Sequence, residues 1–234
     1  MWQTAAVGKR QEGRERIEAA IIEIGRRHLV TEGAAGLSLR AIARELGMVS
    51  SAVYRYVANR DDLLTLLVVD AYSELADAVD RASAGASLES DWRARLLAMA
   101  RAVRGWAVDQ PARWALLYGS PVPGYHAPAE RTVGPGTRVI GTLFSAVADG
   151  IAAGAEVESG EVVAQPLSAD FDRLRTEFHF PGGDGVLAKC FLLWAALVGA
   201  VSLEVFGQYG ADTLTDPGQV FEVQVALLIE AFTR

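Results

Sequence analysis

The sequence predicts an all-α protein, and three observations carry that reading. Apolar residues recur at intervals of three and four along nearly the whole chain, the spacing that places them on one face of a helix. No stretch alternates apolar and polar residues strictly enough for a half-buried strand, and no segment repeats at a fixed period. Hydrophobic residues fill 51% of the 234 positions, enough to build the core of one large domain or two modest ones.

The elements follow in order. Residues 1–12, with Lys9 and Arg10, are expected to form a mobile basic arm. A first helix from Arg14 to about Thr31 carries Ile17, Ile21, Ile24 and His28 at spacings of four, three and four. It stops at EGAAG, where Gly33 can supply a left-handed C-cap. Ser38 is a plausible N-cap for a second helix, whose Leu39, Ile42, Ala43 and Leu46 lie at i, i+3, i+4 and i+7. Gly47 ends it. A third, short helix from about Ser50 to Val57 turns Val53 and Val57 inward. Asn59 or Asp61 can cap a fourth helix, and the Asp61–Asp62 pair suits the positive end of its dipole.

That fourth helix runs to about Arg81, and SAGASLES (83–90) is a small-residue linker. The next helix sets Trp92, Leu96, Met99, Val103 and Trp106 on one stripe. Pro111 interrupts, PARWALLY resumes, and Gly119–Gly136 is expected to be a long loop rich in proline and glycine. Further helices are expected over about Thr137–Ala153, Ala169–Phe178, Val186–Phe206 and Pro217–Phe232. The last of these bears two apolar stripes, one of Val220, Val223 and Leu227, the other of Phe221, Val225, Leu228 and Phe232. A helix that is apolar on two sides must be covered on two sides. A second copy of the chain is the economical cover, through an interface expected to involve Phe191, Trp194, Val198, Phe221, Val225, Leu228 and Phe232.

Charge divides unevenly along the chain. Residues 1–60 hold 10 Lys+Arg against 6 Asp+Glu (+4), and residues 61–234 hold 12 against 23 (−11), which sum to the net −7. A basic head on an acidic body fits a protein whose head alone meets a polyanion. The single Cys190 offers no disulfide and no metal-site spacing, which fits a reducing cytoplasm. No apolar secretory core opens the chain. The longest apolar run, Cys190–Leu203, is 14 residues, short of the roughly 20 that span a bilayer. Neither a metal, a cofactor nor a membrane is expected. The zinc-protease, nucleophile-elbow and glycine-rich phosphate-loop patterns are missing from the sequence, so an enzyme is the weaker reading. The paired carboxylates Asp61/Asp62 and Asp170/Asp172 are explained by capping and solvation.

Helices two and three, joined by a tight turn at Gly47, form a helix-turn-helix pattern. Ser50, Ser51, Arg55 and Tyr54 or Tyr56 lie on the face away from Val53 and Val57. Their hydroxyls and the guanidinium can reach phosphates or base edges, and Arg60 just beyond can meet a phosphate. The alternative is a packed helical hairpin with ordinary polar solvation, since the pattern alone is common.

The stretch LSLRAIARELGMVSSAVYRYVANRDDLL, with the helix before it, resembles the TetR family of bacterial transcriptional regulators over residues 12–70. In the C-terminal part LLYGSPVPGY and WAALVGAVSLEVFG resemble a subfamily with a Trp-His-Gly motif: Trp194 and Gly199 match, and Val198 stands where the histidine would be. The resemblance implies a three-helix DNA-binding head over 1–60. A larger helical bundle over 61–234 would bind an effector and dimerise. It also implies DNA contacts from Ser38, Arg40, Ser50, Ser51, Ala52, Tyr54, Arg55, Tyr56 and Arg60. The family usually places Ser or Thr at Val49, and often Thr at Ala52, so Ser50 or Ser51 is expected to take over the cap. The function implied is a ligand-responsive cytoplasmic repressor. It would bind a palindromic double-stranded operator as a homodimer and be released by a small hydrophobic effector. The alternative is a helical interaction or small-molecule-binding protein whose head no longer binds DNA. Trp106, Trp114, Tyr118, Tyr125, His126, Phe144, Phe171 and Trp194 are the candidate effector-binding residues, each of which could instead be core or, for His126, surface. His179 has the same two readings.

Overall fold

The computed structural model describes residues 2–86, 91–157 and 162–233. They fold as α1 (Trp2–Gly36), α2 (Leu39–Glu45), α3 (Ser50–Val53), α4 (Arg60–Gly85), α5 (Trp92–Asp109), α6 (Pro111–Tyr118), α7 (Ala129–Ala152), α8 (Leu167–Phe178), α9 (Asp184–Val205) and α10 (Pro217–Glu230), with no strand among the described residues. Two compact units result. One comprises residues 1–73 with 112–136, the other 74–111 with 137–234. Helices α4 and α7 each contribute to both.

In the first unit the predicted punctuation is realised. Gly33 takes φ +66 and interrupts α1, and Gly47 takes φ +64 at the end of α2, a backbone region that strains any residue bearing a Cβ. Ser38 caps α2, its hydroxyl accepting from the Ala41 N–H at 3.4 Å. Ile21, Ile42, Val53, Val57, Leu63 and Leu64 are fully buried in one core that joins α1, α2, α3 and the start of α4. Burying such a side chain contributes on the order of 1.5–3 kcal/mol. These residues therefore fix where the short α3 lies.

The sequence reading needs correction in several places. Residues 2–12 are helical and continuous with α1, not an arm. Helical geometry in α3 ends at Val53, and tight bonds from Arg55 N to Ala52 O and from Tyr56 N to Val53 O carry the chain to Val57. Neither serine caps α3: Val49 occupies the N-cap position, with no side-chain cap bond. The expected loop is shorter too, because α7 begins at Ala129 and runs through Pro135. A proline forfeits one backbone bond there, but its fixed φ is itself helical. Part of SAGASLES, residues 87–90, lies outside the described residues, as do residues 158–161.

The second unit packs α9 against α5, α8 and α10. Leu187, Cys190, Leu193, Leu197 and Val201 form the inner face of α9. At 22 residues and mean hydropathy 2.1, α9 is long and apolar enough to cross a membrane. Here, though, Glu204 near its end is clamped by Arg104 Nε at 2.7 Å, and its inner face is core. Burial pushes the Cys190 thiol up to about 12, so the thiolate is scarce at neutral pH and the residue is inert packing.

Candidate nucleic-acid interface

Above the buried Val53 and Val57, the far side of α3 is open. Ser50, Ser51, Tyr54 and Arg55 are exposed and Ala52 is half-buried, while Arg40 is exposed on α2. Tyr54 is 46% accessible. Among the described residues the side chains of Ser50, Ser51, Tyr54 and Arg55 have no hydrogen-bond or ion-pair partner. Their donors are left to solvent or to something outside the chain. The half-buried Ser38 spends its hydroxyl on the α2 cap. Tyr56 is half-buried against the head core, and its ring meets the Arg14 guanidinium at 5.9 Å. Arg60 donates from Nη2 to the carbonyls of Ala34 at 2.8 Å and Ala35 at 3.1 Å. It pins the turn between α1 and α2, and only its remaining N–H groups are available to a phosphate.

Three ties hold this face, and of their bonds only the Asn59 cap was expected from the sequence. His28 Nε2 lies 2.5 Å from Glu45 Oε1, and Arg27 donates to Glu45 Oε2 at 2.9 Å, joining α1 to the end of α2. Those bonds, from His28 first and Arg27 second, hold the Glu45 carboxyl below its ordinary value. Asp70 accepts from Arg26 at 2.7 and 2.9 Å and from Arg113 at 2.9 Å, drawing α1 and α6 onto α4.

The third tie is at the end of the recognition segment. Asn59 Oδ1 accepts from Asp62 N at 2.9 Å, and Asp62 Oδ2 accepts from Ala58 N at 3.1 Å. The other Asp62 oxygen is held by Arg131 from α7. The sequence reading gave Asp62 only a helix-dipole role; its partner lies 69 residues away. Asp62→Ala leaves the Asn59 cap in place but removes the carboxylate that accepts from Ala58 N and holds Arg131, and is expected to destabilise the chain by about 1 kcal/mol. Thermal denaturation of the variant checks this; an unchanged midpoint would contradict a stabilising role for that carboxylate.

The candidate effector residues fall in both units. Trp114, Tyr118, Tyr125 and His126 belong to the first unit. There Trp114 is fully buried against Tyr118 at 4.4 Å, the Tyr125 hydroxyl meets Thr65 Oγ1 at 3.1 Å, and His126 is exposed. Burial raises the Tyr118 phenol well above its ordinary value. Trp106, Phe144, Phe171 and Trp194 belong to the second unit. Trp106 Nε1 donates to Glu74 at 3.2 Å. Phe144 packs edge-on against Phe178 at 5.2 Å, and Phe171 stacks on Phe191 at 5.7 Å. His179 takes the left-handed φ +50 that ends α8. Only Trp194 of the candidates lines the apolar cavity of this unit, beside Val79, Met99, Val103, Leu143 and Leu197. The cavity is about 20 Å³, room for about one water, so any ligand there must part the helices.

The dimer expectation is also redistributed. Phe221, Val225 and Phe232 are 3, 1 and 2% accessible and belong to their own chain's core. Trp194, Val198 and Leu228 are half-buried. Phe191 is exposed, yet it is committed on one side to Phe171. The open apolar surface is the other stripe: Leu192 (57%) and Leu203 (43%) on α9, Phe206 just beyond it, and Val223 and Leu227 (60% each) on α10.

A helix-turn-helix with one face buried and the other open and basic is the arrangement of a DNA-binding head. Residues 21–67 match the family model for bacterial regulatory proteins of the tetR family, and residues 96–228 match a tetracyclin repressor-like C-terminal domain. The chain belongs to the TetR family of transcriptional regulators. It is 66% identical over 229 residues to the HTH-type transcriptional regulators Rv1816 of Mycobacterium tuberculosis and Mb1846 of Mycobacterium bovis, covering 98% of this chain and 97% of each relative. Among solved structures, SCO4313 superposes with a TM-score of 0.74 at 32% identity, over 94% of this chain and 98% of that one. The TetR family transcriptional regulator PfmR of Thermus thermophilus shares the fold, with a TM-score of 0.58 at 15% identity, over 92% of this chain and 99% of that one.

Proposed function

We propose that this TetR-family regulator is a cytoplasmic repressor. It binds a palindromic operator as a homodimer and releases it when a small hydrophobic effector binds the body. The observation that carries the reading is the exposed set Ser50, Ser51, Tyr54 and Arg55, mounted on a segment whose opposite side, Val53 and Val57, is fully buried. That is the arrangement of a recognition helix: one face anchored, the other offering hydroxyls and a guanidinium to phosphates and base edges.

The exposed stripe of α9 and α10 supports the dimer. Two protomers related by a two-fold axis would bury Leu192, Val223 and Leu227 against their own copies and present two heads to two half-sites. The cavity beside Trp194 supports an apolar effector, because no charged side chain lines it. An effector of this kind would act by favouring the head spacing that misfits the operator.

The test is operator binding against salt. With about four phosphates neutralised, the logarithm of affinity should fall with the logarithm of salt concentration at a slope of about −4. A flat response in a mobility-shift or anisotropy titration would refute a phosphate-gripping head.

A further inference from the structure

Val49 breaks two local rules at once. It occupies the residue before α3 without a side-chain cap bond, where Ser, Thr, Asp or Asn would add about 1 kcal/mol. It is also 73% accessible, an apolar side chain left exposed. Its neighbour Met48, by contrast, packs against the head core. One turn on, Ala52 donates its N–H to the Val49 carbonyl at 2.8 Å and is half-exposed. These two apolar residues, three apart and joined by that backbone bond, stand among the exposed Ser50, Ser51 and Arg55. Nothing in the described head needs a valine at position 49, and stability would favour a hydroxyl there. Local rules broken without an internal gain are expected at functional positions.

From this pair we infer that Val49, with Ala52 beside it, is a specificity-determining residue that packs on the 5-methyl group of a thymine in each operator half-site. The inference rests on the DNA-binding reading above. The chemistry selects the base: in the major groove thymine alone among the four bases presents a methyl group, and small apolar side chains recognise it by contact. The hydroxyls and guanidinium around the pair supply phosphate and polar base contacts, which leave that methyl unread. An exposed valine beside them reads it, and its exposure in the free protein is relieved when DNA covers it.

The experiment selects binding duplexes from a random pool with the full-length protein, then replaces each thymine of the selected operator by deoxyuridine, which removes the methyl and nothing else. At one thymine per half-site, the loss of the methyl should weaken wild-type binding about three- to fivefold, as for one buried methyl-sized group. Val49→Ser should bind the thymine and uracil operators equally, and Val49→Ile should keep the preference. Serine can cap α3, so Val49→Ser should melt about 2–4 °C higher than wild type, which excludes unfolding as the cause. Equal wild-type affinity for every uracil-substituted operator would overturn the inference, and so would Val49→Ser retaining the discrimination. If no duplex is enriched at all, the DNA-binding reading itself fails and takes the inference with it.

Discussion

Replacing Arg55 by alanine and Tyr54 by phenylalanine together is expected to lower operator affinity by at least about three orders of magnitude. A well-made contact to a base edge or phosphate is worth about 1–3 kcal/mol, and a two-fold dimer loses each contact twice. The fold should be indifferent. Tyr54 and Arg55 are exposed and without a hydrogen-bond or ion-pair partner among the described residues, while Val53 and Val57, which anchor the segment, are untouched. Surface changes away from caps and ion-pair networks usually stay within about 0.5 kcal/mol. A mobility-shift titration alongside thermal denaturation separates the two outcomes. Unchanged affinity would remove the exposed side of α3 from the DNA interface.

Val223→Glu with Leu227→Glu is expected to convert the proposed homodimer to a folded monomer, raising the dissociation constant at least about a thousandfold. Each side chain is 60% accessible in the single chain, so a charge there is solvated in the monomer. In a two-fold interface the same charge would face an apolar surface and, across the axis, its own copy. Burying two such residues per protomer contributes several kcal/mol, and the substitution removes that contribution twice over. Phe221→Glu is the control that distinguishes the two stripes of α10. At 3% accessible, with the Arg104 guanidinium 5.7 Å from its ring, Phe221 is packed inside its own chain, and its substitution should unfold the protein. Sedimentation velocity with circular dichroism reads both. A stable dimer from the Val223/Leu227 variant would place the interface elsewhere.

Much of the head was legible in the sequence because its determinants are local. A hydroxyl at Ser38, glycines at positions 33 and 47, and apolar residues at helical spacing act over a few residues, and each took the predicted role. The failures were local in another sense. Val49 could not cap α3 and neither serine replaced it, so the segment stayed short and tightened into turns. The expected basic arm is helical, because residues 2–12 carry no proline and continue α1 without a break. In the same way Pro135 failed to end a helix whose φ it already satisfies.

By itself the sequence determined an all-α chain, a helix-turn-helix at residues 38–57, and the side of α3 that stays open, since period and capping are properties of neighbouring residues. Which stripe of α10 is core and which is free was beyond it. Both stripes are apolar, and the choice is made by α5 and α9, which bury Phe221 and Val225 and leave Val223 and Leu227 to water. The same holds for Arg60, turned onto two carbonyls at the end of α1. Those assignments depend on partners tens of residues away, and only tertiary packing brings such partners together.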